Sequence, residues 1–353
     1  MARTAWDIDE EELDVEQNNV RRLRVDRSFA VKGTAGSGKT NLALWRAKRI
    51  KETEDGTVKV LVYTKALSAF ISDGIRRLEI GSANVIHYHK WTGEAVDYVI
   101  VDEAQDFAAS EIERLIKAAR KSAMFFGDTA QQLYTSKKIN RDDDSFVSTV
   151  TMEQIAAMLD SEPRELKNNY RLPQGIAPFA QQLNNTNNDI ISFCKNTRTG
   201  KPRVIKFNTW QQELDFIISE INTRNLKDVA ILLPFNDEAA AKRGRSPEYY
   251  SVTSVRDYLN SKGVKNLCKV NDNVELDFES DLPKIMTYHS SKGLQFDTVF
   301  IPHCGVGRDS FDAFFLKPMY VAVTRTSNNL ILTHSDKLSP YITKISSNNY
   351  ETR

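Results

Sequence analysis

The sequence runs to 353 residues, 41% hydrophobic and 27% charged, which is enough for two domains of ordinary size, each with its own core. A net charge of +1 leaves no global electrostatic footprint for a nucleic acid, so any such site has to be local and built partly from stacking. The three cysteines, Cys194, Cys268 and Cys304, lie far apart without ligand spacing and read as reduced thiols, and no apolar run approaches the roughly 20 residues of a membrane span.

The opening Met-Ala-Arg-Thr-Ala-Trp, followed by acids, has the pattern of neither a secretory nor a transit peptide, so a soluble, cytoplasmic protein with no membrane partner is expected. Asp7 to Glu16 is acidic and reads as a solvated helix. Gln17 follows it with an amide that both donates and accepts, as the adenine edge requires. Phe29-Ala30-Val31 reads as a short buried strand. It runs into Gly33-Thr34-Ala35-Gly36-Ser37-Gly38-Lys39-Thr40, which fits G-x-x-x-x-G-K-[ST] at every required position, and Asn41 to Ile50 then reads as a helix. In that strand, loop, helix setting the glycines let backbone N–H groups turn inward around phosphates, and the helix N-terminus adds a favourable dipole. Lys39 is expected to reach the β- and γ-phosphates of a nucleoside triphosphate, and the Thr40 hydroxyl to ligate Mg²⁺.

Val58 to Tyr63 is a β-branched run that reads as a buried strand, and Ala66 to Leu78 has helical spacing. Val85 to Trp91 reads as a short strand entering an aromatic and basic cluster. Its two histidines, His87 and His89, lack a third or fourth ligand nearby, so no metal is expected there. The apolar run Tyr98 to Val101 delivers Asp102-Glu103-Ala104-Gln105-Asp106. Asp102 is expected to hold Mg²⁺, directly or through water, and Glu103 to orient and deprotonate the attacking water. A helix over Glu111–Ala119 and a strand over Met124–Phe126 lead to Gly127-Asp128-Thr129-Ala130-Gln131-Gln132-Leu133-Tyr134. This alternation predicts an α/β parallel sheet with ligands at the strand C-termini.

The polar stretch from Ile139 to Val150 places a domain boundary between residues 149 and 150. In the second half, strands are expected at Val204–Phe207, Val229–Leu233, Lys284–Tyr288, Val299–Pro302 and Leu330–Thr333. Helices are expected at Gln211–Asn222, Ser251–Asn260 and about Lys317–Val323, and the tail from Ser346 is expected to fray. Two α/β lobes with a single phosphate loop imply a nucleotide in the cleft between them.

In chain order, these motifs resemble those of the UvrD/Rep-like branch of superfamily 1 helicases, and the resemblance covers nearly the whole sequence. Gln17 is similar to the adenine-reading glutamine, and Gly33 to Thr40 to motif I. Tyr63-Thr64-Lys65-Ala66 is similar to a segment whose aromatic contacts single-stranded DNA, and His87-Tyr88-His89 to a Thr-Phe-His segment. Asp102 to Asp106 resembles motif II, and Gly127-Asp128 with Gln131 resembles motif III. Asn169-Tyr170-Arg171 resembles motif IV, Met286 to Phe296 motif V, and Val321 to Arg325 motif VI.

The resemblance implies two tandem RecA-like domains of the P-loop NTPase class that bind ATP and Mg²⁺. It also implies ATP-driven 3′-to-5′ movement on single-stranded DNA, with RNA the lesser candidate. By the same resemblance Tyr170 stacks on adenine, Gly293 and Gln295 lie at the nucleotide, Gln131 senses the γ-phosphate, and Arg171 and Arg325 touch it. Tyr63, Thr64, Lys65, His87, Tyr88, His89, Trp91, Tyr134, Thr287 and His289 become nucleic-acid contacts, the aromatics by stacking.

The sequence also departs from the pattern. Gln295 stands where the family usually has a Glu that contacts the nucleotide sugar, and no Trp follows Tyr134. Only Thr92 to Val96 separate Trp91 from Asp97, where the family inserts a subdomain, and the second insertion is missing too. The chain therefore reads as a bare two-lobe motor. A protein partner could supply the duplex-separating or nuclease function, and the alternative is an ATP-gated module that switches such a partner.

Overall fold

The computed structural model describes residues 6, 10–81, 84–132, 136–137, 147–183, 189–244, 246–271, 273–274, 276–305 and 309–352. The chain divides into two compact units, Met1–Asn168 and Asn169–Arg353.

The first unit contains strands β1 (Phe29–Gly33), β2 (Val58–Val62), β3 (Asn84–His87), β4 (Val96–Val101) and β5 (Ala119–Gly127). A short antiparallel pair, β6 (Ser136–Lys137) with β7 (Val147–Ser148), and β8 (Arg164–Leu166) complete it. Its helices are α1 (Val15–Arg22), α2 (Lys39–Thr53), α3 (Lys65–Arg77), α4 (Ala109–Ala118) and α5 (Met152–Met158). The main sheet has the order β3-β2-β4-β5-β1-β8 and is parallel throughout. β2 is buried along its whole length, as expected for a strand covered on both faces. Because β5 lies between β1 and β4, the C-terminal ends of all three, carrying Gly33, Gly127 and Val101, lie side by side. That is the edge where open α/β sheets bind ligands.

Local chemistry sets the helix starts. Asp14 opens α1 with a capping box: its carboxylate accepts from Gln17 N at 2.7 Å, and Gln17 Oε1 accepts from Asp14 N at 3.1 Å. Thr64 caps α3 by accepting from Leu67 N at 3.2 Å. The first unit does not end near residue 149. α5 and β8 follow the polar stretch, and β8 pairs with β1 through Val31, Lys32 and Gly33, so the division falls after Asn168.

The second unit begins with a parallel pair, β9 (Asn169–Pro173) and β10 (Cys194–Asn196). It continues with β11 (Arg203–Lys206), β12 (Val229–Leu233), β13 (Leu267–Val270), β14 (Asn273–Val274), β15 (Lys284–Thr287), β16 (Phe296–Ile301), β17 (Thr326–His334) and β18 (Glu351–Thr352). Its helices are α6 (Ala177–Leu183), α7 (Trp210–Thr223), α8 (Glu238–Arg243), α9 (Val252–Ser261), α10 (Asp309–Val323) and α11 (Pro340–Thr343). The eight-stranded sheet has the order β14-β13-β15-β12-β16-β17-β11-β18, and only β14 runs antiparallel to its neighbour. Leu214 and Ile217 of α7 and Val255 and Leu259 of α9 pack with Ile231, Ile285 and Phe300 of the sheet in one core.

Each of the five strands expected in this half is present. α10 starts earlier than expected, at Asp309, with Pro318 inside the helix rather than in its first turn, the position proline usually favours. The tail does not fray throughout: Glu351 and Thr352 pair with Arg203 and Val204 as the edge of the sheet.

Candidate functional site

At the end of β1 the chain passes through Gly36 and Gly38 in the left-handed region (φ 75° and 83°) and enters α2. The φ of Gly38 favours glycine, and a Cβ there would approach Gln17 Nε2 to 2.8 Å, so that side chain would have to shift. Lys39 is buried, and its Nζ donates to Gly33 O at 2.9 Å and to Thr34 O at 2.8 Å, which holds the ammonium over the loop. The Ser37 hydroxyl is buried with no hydrogen-bond partner, an orphaned donor inside an anion-binding loop.

Gln17 occupies a different position from the one expected of it. Its Nε2 donates to Ser37 O at 3.0 Å while its Oε1 is engaged in the α1 cap. The buried amide braces the phosphate loop instead of presenting both its groups to a base, because a polar group without water has to be satisfied within the protein.

β4 delivers Asp102 beneath the loop. Thr40 Oγ1 donates to Asp102 Oδ2 at 2.7 Å, and Glu103 N donates to Asp102 Oδ1 at 3.0 Å. Asp102 is fully buried. Burial first, and the neighbouring Glu103 charge second, push its carboxyl up to about 6, while the Thr40 hydrogen bond and Lys39 oppose the rise. A hydroxyl and a carboxylate brought this close form an oxygen-only donor set, which suits a hard cation such as Mg²⁺. Thr40 and Asp102 would hold that ion, which when bound supplies positive charge to the phosphates.

Glu103 has a left-handed backbone (φ 55°), a conformation that a non-glycine residue adopts at a cost. Gln105 Nε2 donates to Glu103 Oε2, and Gln105 Oε1 accepts from Asp128 N at 2.9 Å. Gln131 Nε2 in turn donates to Asp128 Oδ2 at 2.7 Å. Hydrogen bonds thus join the ends of β4 and β5 and link Glu103 to Gln131 through Gln105 and Asp128. The sequence did not single out Gln105 or Asp128 as site residues. The signal was present, since an amide and an acid with no acid–base task of their own sit beside residues that have one.

In the second unit, Tyr170 is one of the few exposed large apolar side chains among the described residues, at 40%. Arg171 Nε donates to Gln295 Oε1 at 3.0 Å. Arg325 is buried, and its guanidinium donates to Val321 O at 2.8 Å, Leu294 O at 3.3 Å and Thr324 Oγ1 at 3.0 Å. Gly293 (φ 81°) makes the turn before Leu294 and Gln295. The resemblance places Gln295 at the nucleotide sugar, whereas here its amide oxygen is engaged by Arg171.

The residues expected to touch nucleic acid separate into distinct groups. Tyr88 and Trp91 are 7% and 5% exposed and belong to the first unit's core, which corrects their assignment as stacking platforms. Tyr88 packs edge-on against Phe107, and Trp91 lies under the Arg114 guanidinium at 4.8 Å. Tyr63 stays half-buried with edge contacts to His89 and Phe107, and His89 is exposed. Thr64 and Lys65 are half-buried at the start of α3, where the Thr64 hydroxyl serves as the cap. His87 is half-buried, and burial and then the nearby His89 lower its pKa. Thr287 is buried, and its hydroxyl donates to Ser290 Oγ at 2.9 Å. Burial, and then the charge of Lys292, push His289 down to about 4, so it is neutral at pH 7. Tyr134 lies outside the described residues.

A family model described as an AAA domain matches residues 12–139, the segment that carries the phosphate loop, Asp102, Glu103 and Gln131. No curated protein matches the chain. Among solved structures, the chain is similar to the C-terminal domain of a possible DNA helicase from Lactobacillus plantarum WCFS1, with 16% identity and a TM-score of 0.37, covering 52% of this chain and 98% of that one. It is also similar to Arterivirus nonstructural protein 10, a helicase solved with DNA, with 14% identity and a TM-score of 0.45, covering 94% of this chain and 65% of that one. Among the described residues no helix is long and apolar enough to cross a membrane. The fold class is that of a P-loop NTPase: mixed α/β, with two sheets of mainly parallel strands and the phosphate loop at the carboxyl edge of the first.

Proposed function

We propose that the chain is an ATP hydrolase coupled to single-stranded DNA, a translocase or helicase of the UvrD/Rep type. The observation that carries this reading is the Thr40–Asp102 hydrogen bond beneath the phosphate loop, with Lys39 above it and Glu103 beside it. Such a site binds a triphosphate and a divalent cation and presents a carboxylate to the attacking water. In this reading Lys39 and the loop N–H groups bind the β- and γ-phosphates, and Glu103 takes the proton from the water. Gln131 senses the γ-phosphate, and Arg171 and Arg325 supply positive charge to the transferring group. Tyr63 and His89 remain the first-unit candidates for contact with bases. The 3′-to-5′ direction rests on the resemblance of Met286 to Phe296 to motif V.

The second reading, an ATP-gated module that switches a protein partner, is favoured by one observation. The connection from β3 to β4 is a single turn, Tyr88–Lys90, and a short loop, with no room for a strand-separating insertion. Displacement of streptavidin from oligonucleotides biotinylated at either end distinguishes the two. ATP-dependent stripping from the 5′ end alone supports 3′-to-5′ movement, stripping from the 3′ end reverses the direction, and ATP consumption without stripping favours the gated module.

A further inference from the structure

The first unit ends at Asn168, and its last residues are tied to the phosphate loop. β8 pairs with β1 as far as Gly33 and Leu166, so the loop starts beside the end of β8. Thr34 N then donates to Leu166 O at 3.4 Å, and Thr34 Oγ1 to Lys167 O at 3.3 Å. The Thr34 carbonyl accepts from Ser37 N at 3.2 Å and from Lys39 Nζ at 2.8 Å. One residue therefore joins the end of the unit to the lysine of the loop.

α1 closes the circuit from the other side. Lys167 N donates to Glu16 Oε2 at 2.9 Å, and Asn168 Nδ2 to Asp14 Oδ2 at 2.8 Å. Next to Glu16, Gln17 Nε2 donates to Ser37 O at 3.0 Å. Asp14 uses its other oxygen to cap α1 at Gln17 N, so one carboxylate both starts the helix and holds Asn168. Contacts thus run from Thr34 through Lys167, Glu16, Gln17 and Ser37 back to Thr34, all of them within the first unit. A phosphate loop needs its glycines, lysine and hydroxyl, but it does not need the Glu16 and Asp14 contacts.

We propose that this ring couples nucleotide occupancy of the loop to the hold on residues 166–168, with Glu16 as the positioning residue that joins them. A triphosphate engages Lys39 and the loop N–H groups and so fixes Thr34 to Ser37. A fixed Thr34 holds Lys167, and by reciprocity a held Lys167 favours the occupied loop. Bound nucleotide is thereby registered where the chain leaves the first unit. The proposal rests on the nucleotide binding proposed above, and on neither hydrolysis nor DNA nor any residue of the second unit.

The test uses the full chain and a non-hydrolysable ATP analogue with Mg²⁺, read by amide hydrogen exchange of the peptide covering 164–168 and by titration of a fluorescent nucleotide. In the wild type the analogue is expected to slow exchange at Lys167 by about fivefold or more. In Glu16→Ala that amide exchanges fast and ignores the analogue, and nucleotide affinity falls about three- to tenfold, the size of one hydrogen bond. Glu16→Gln keeps an acceptor oxygen and is expected to bind within about twofold of the wild type. That rescue separates the hydrogen bond from the favourable charge of an acid in the first turn of α1. Melting temperatures confirm folding, and should Glu16→Ala fail to fold, the wild-type exchange decides. Nucleotide binding with unchanged exchange at Lys167 overturns this inference alone, as does wild-type affinity in Glu16→Ala or a Glu16→Gln as weak as Glu16→Ala. A wild type that binds no nucleotide overturns the proposed function, and the inference with it.

Discussion

Replacing Asp102 by Asn is expected to make the protein more stable and inactive, with a stability gain that depends on pH. The Asp102 carboxyl is fully buried and titrates near 6 instead of its ordinary 3.8, mainly because burial disfavours the charge and secondarily because Glu103 adds to it. Ionising it in the folded chain therefore costs on the order of 3 kcal/mol more than in the unfolded chain. The sign follows from the raised value: stability is fully present below about pH 4 and is lost as the pH rises through 6. Asn keeps the shape and the acceptor for Thr40 but offers Glu103 N no second oxygen, a loss of about 1 kcal/mol. The net gain is about 1–2 kcal/mol at pH 7.5, or a rise of roughly 2–8 °C in melting temperature for a unit of this size. Melting curves recorded in chelator, without nucleotide, at pH 7.5 and pH 4.5 read it directly. A variant that melts lower at pH 7.5, or whose gain is the same at both pH values, would refute the electrostatic account of this site.

Glu103→Gln is expected to bind ATP as the wild type does and to lose at least about 10²-fold in turnover, measured by fluorescent-nucleotide titration beside phosphate release, since it removes only the carboxylate that takes the proton. Arg325→Ala is expected to lower kcat by about 10³ or more with little change in nucleotide affinity. Because the guanidinium also ties together Val321, Leu294 and Thr324, the melting temperature should fall as well, so rates are compared per folded molecule. Trp91→Ala is expected to cost about 3–5 kcal/mol of stability in denaturant titration while leaving single-strand affinity within about twofold, because the ring belongs to the core. Tyr63→Ala is expected to weaken that affinity by about 1–3 kcal/mol in an anisotropy titration, and equal affinities would remove Tyr63 from the interface.

The parts of the site with strict chemical demands were legible in the sequence. A phosphate loop needs glycines, a lysine and a hydroxyl at fixed spacing, and an acid pair ending an apolar strand needs no tertiary knowledge to be noticed; in the structure Thr40 and the Glu103 N–H both donate to Asp102, and Lys39 donates to the loop carbonyl of Gly33. What stayed hidden depends on burial and on distant partners. Tyr88 and Trp91 sit in a run of histidines and lysine that reads as an interface, yet the turn at Tyr88–Lys90 directs both rings into the core. Gln17 has the right chemistry for a base edge, but a loop carbonyl 20 residues away takes its N–H. The Arg171–Gln295 bond spans 124 residues and leaves no trace in local pattern. The domain division was misplaced because a polar stretch resembles a linker, whereas β8 beyond it still belongs to the first sheet.

The most direct test of the central claim is steady-state phosphate release from ATP and Mg²⁺ by the wild-type chain, measured as a single-stranded DNA oligonucleotide is titrated in, with an RNA oligonucleotide in parallel. The account predicts a saturable rise in turnover with DNA and a smaller one with RNA. Turnover that neither strand changes, or no turnover at all, would contradict it.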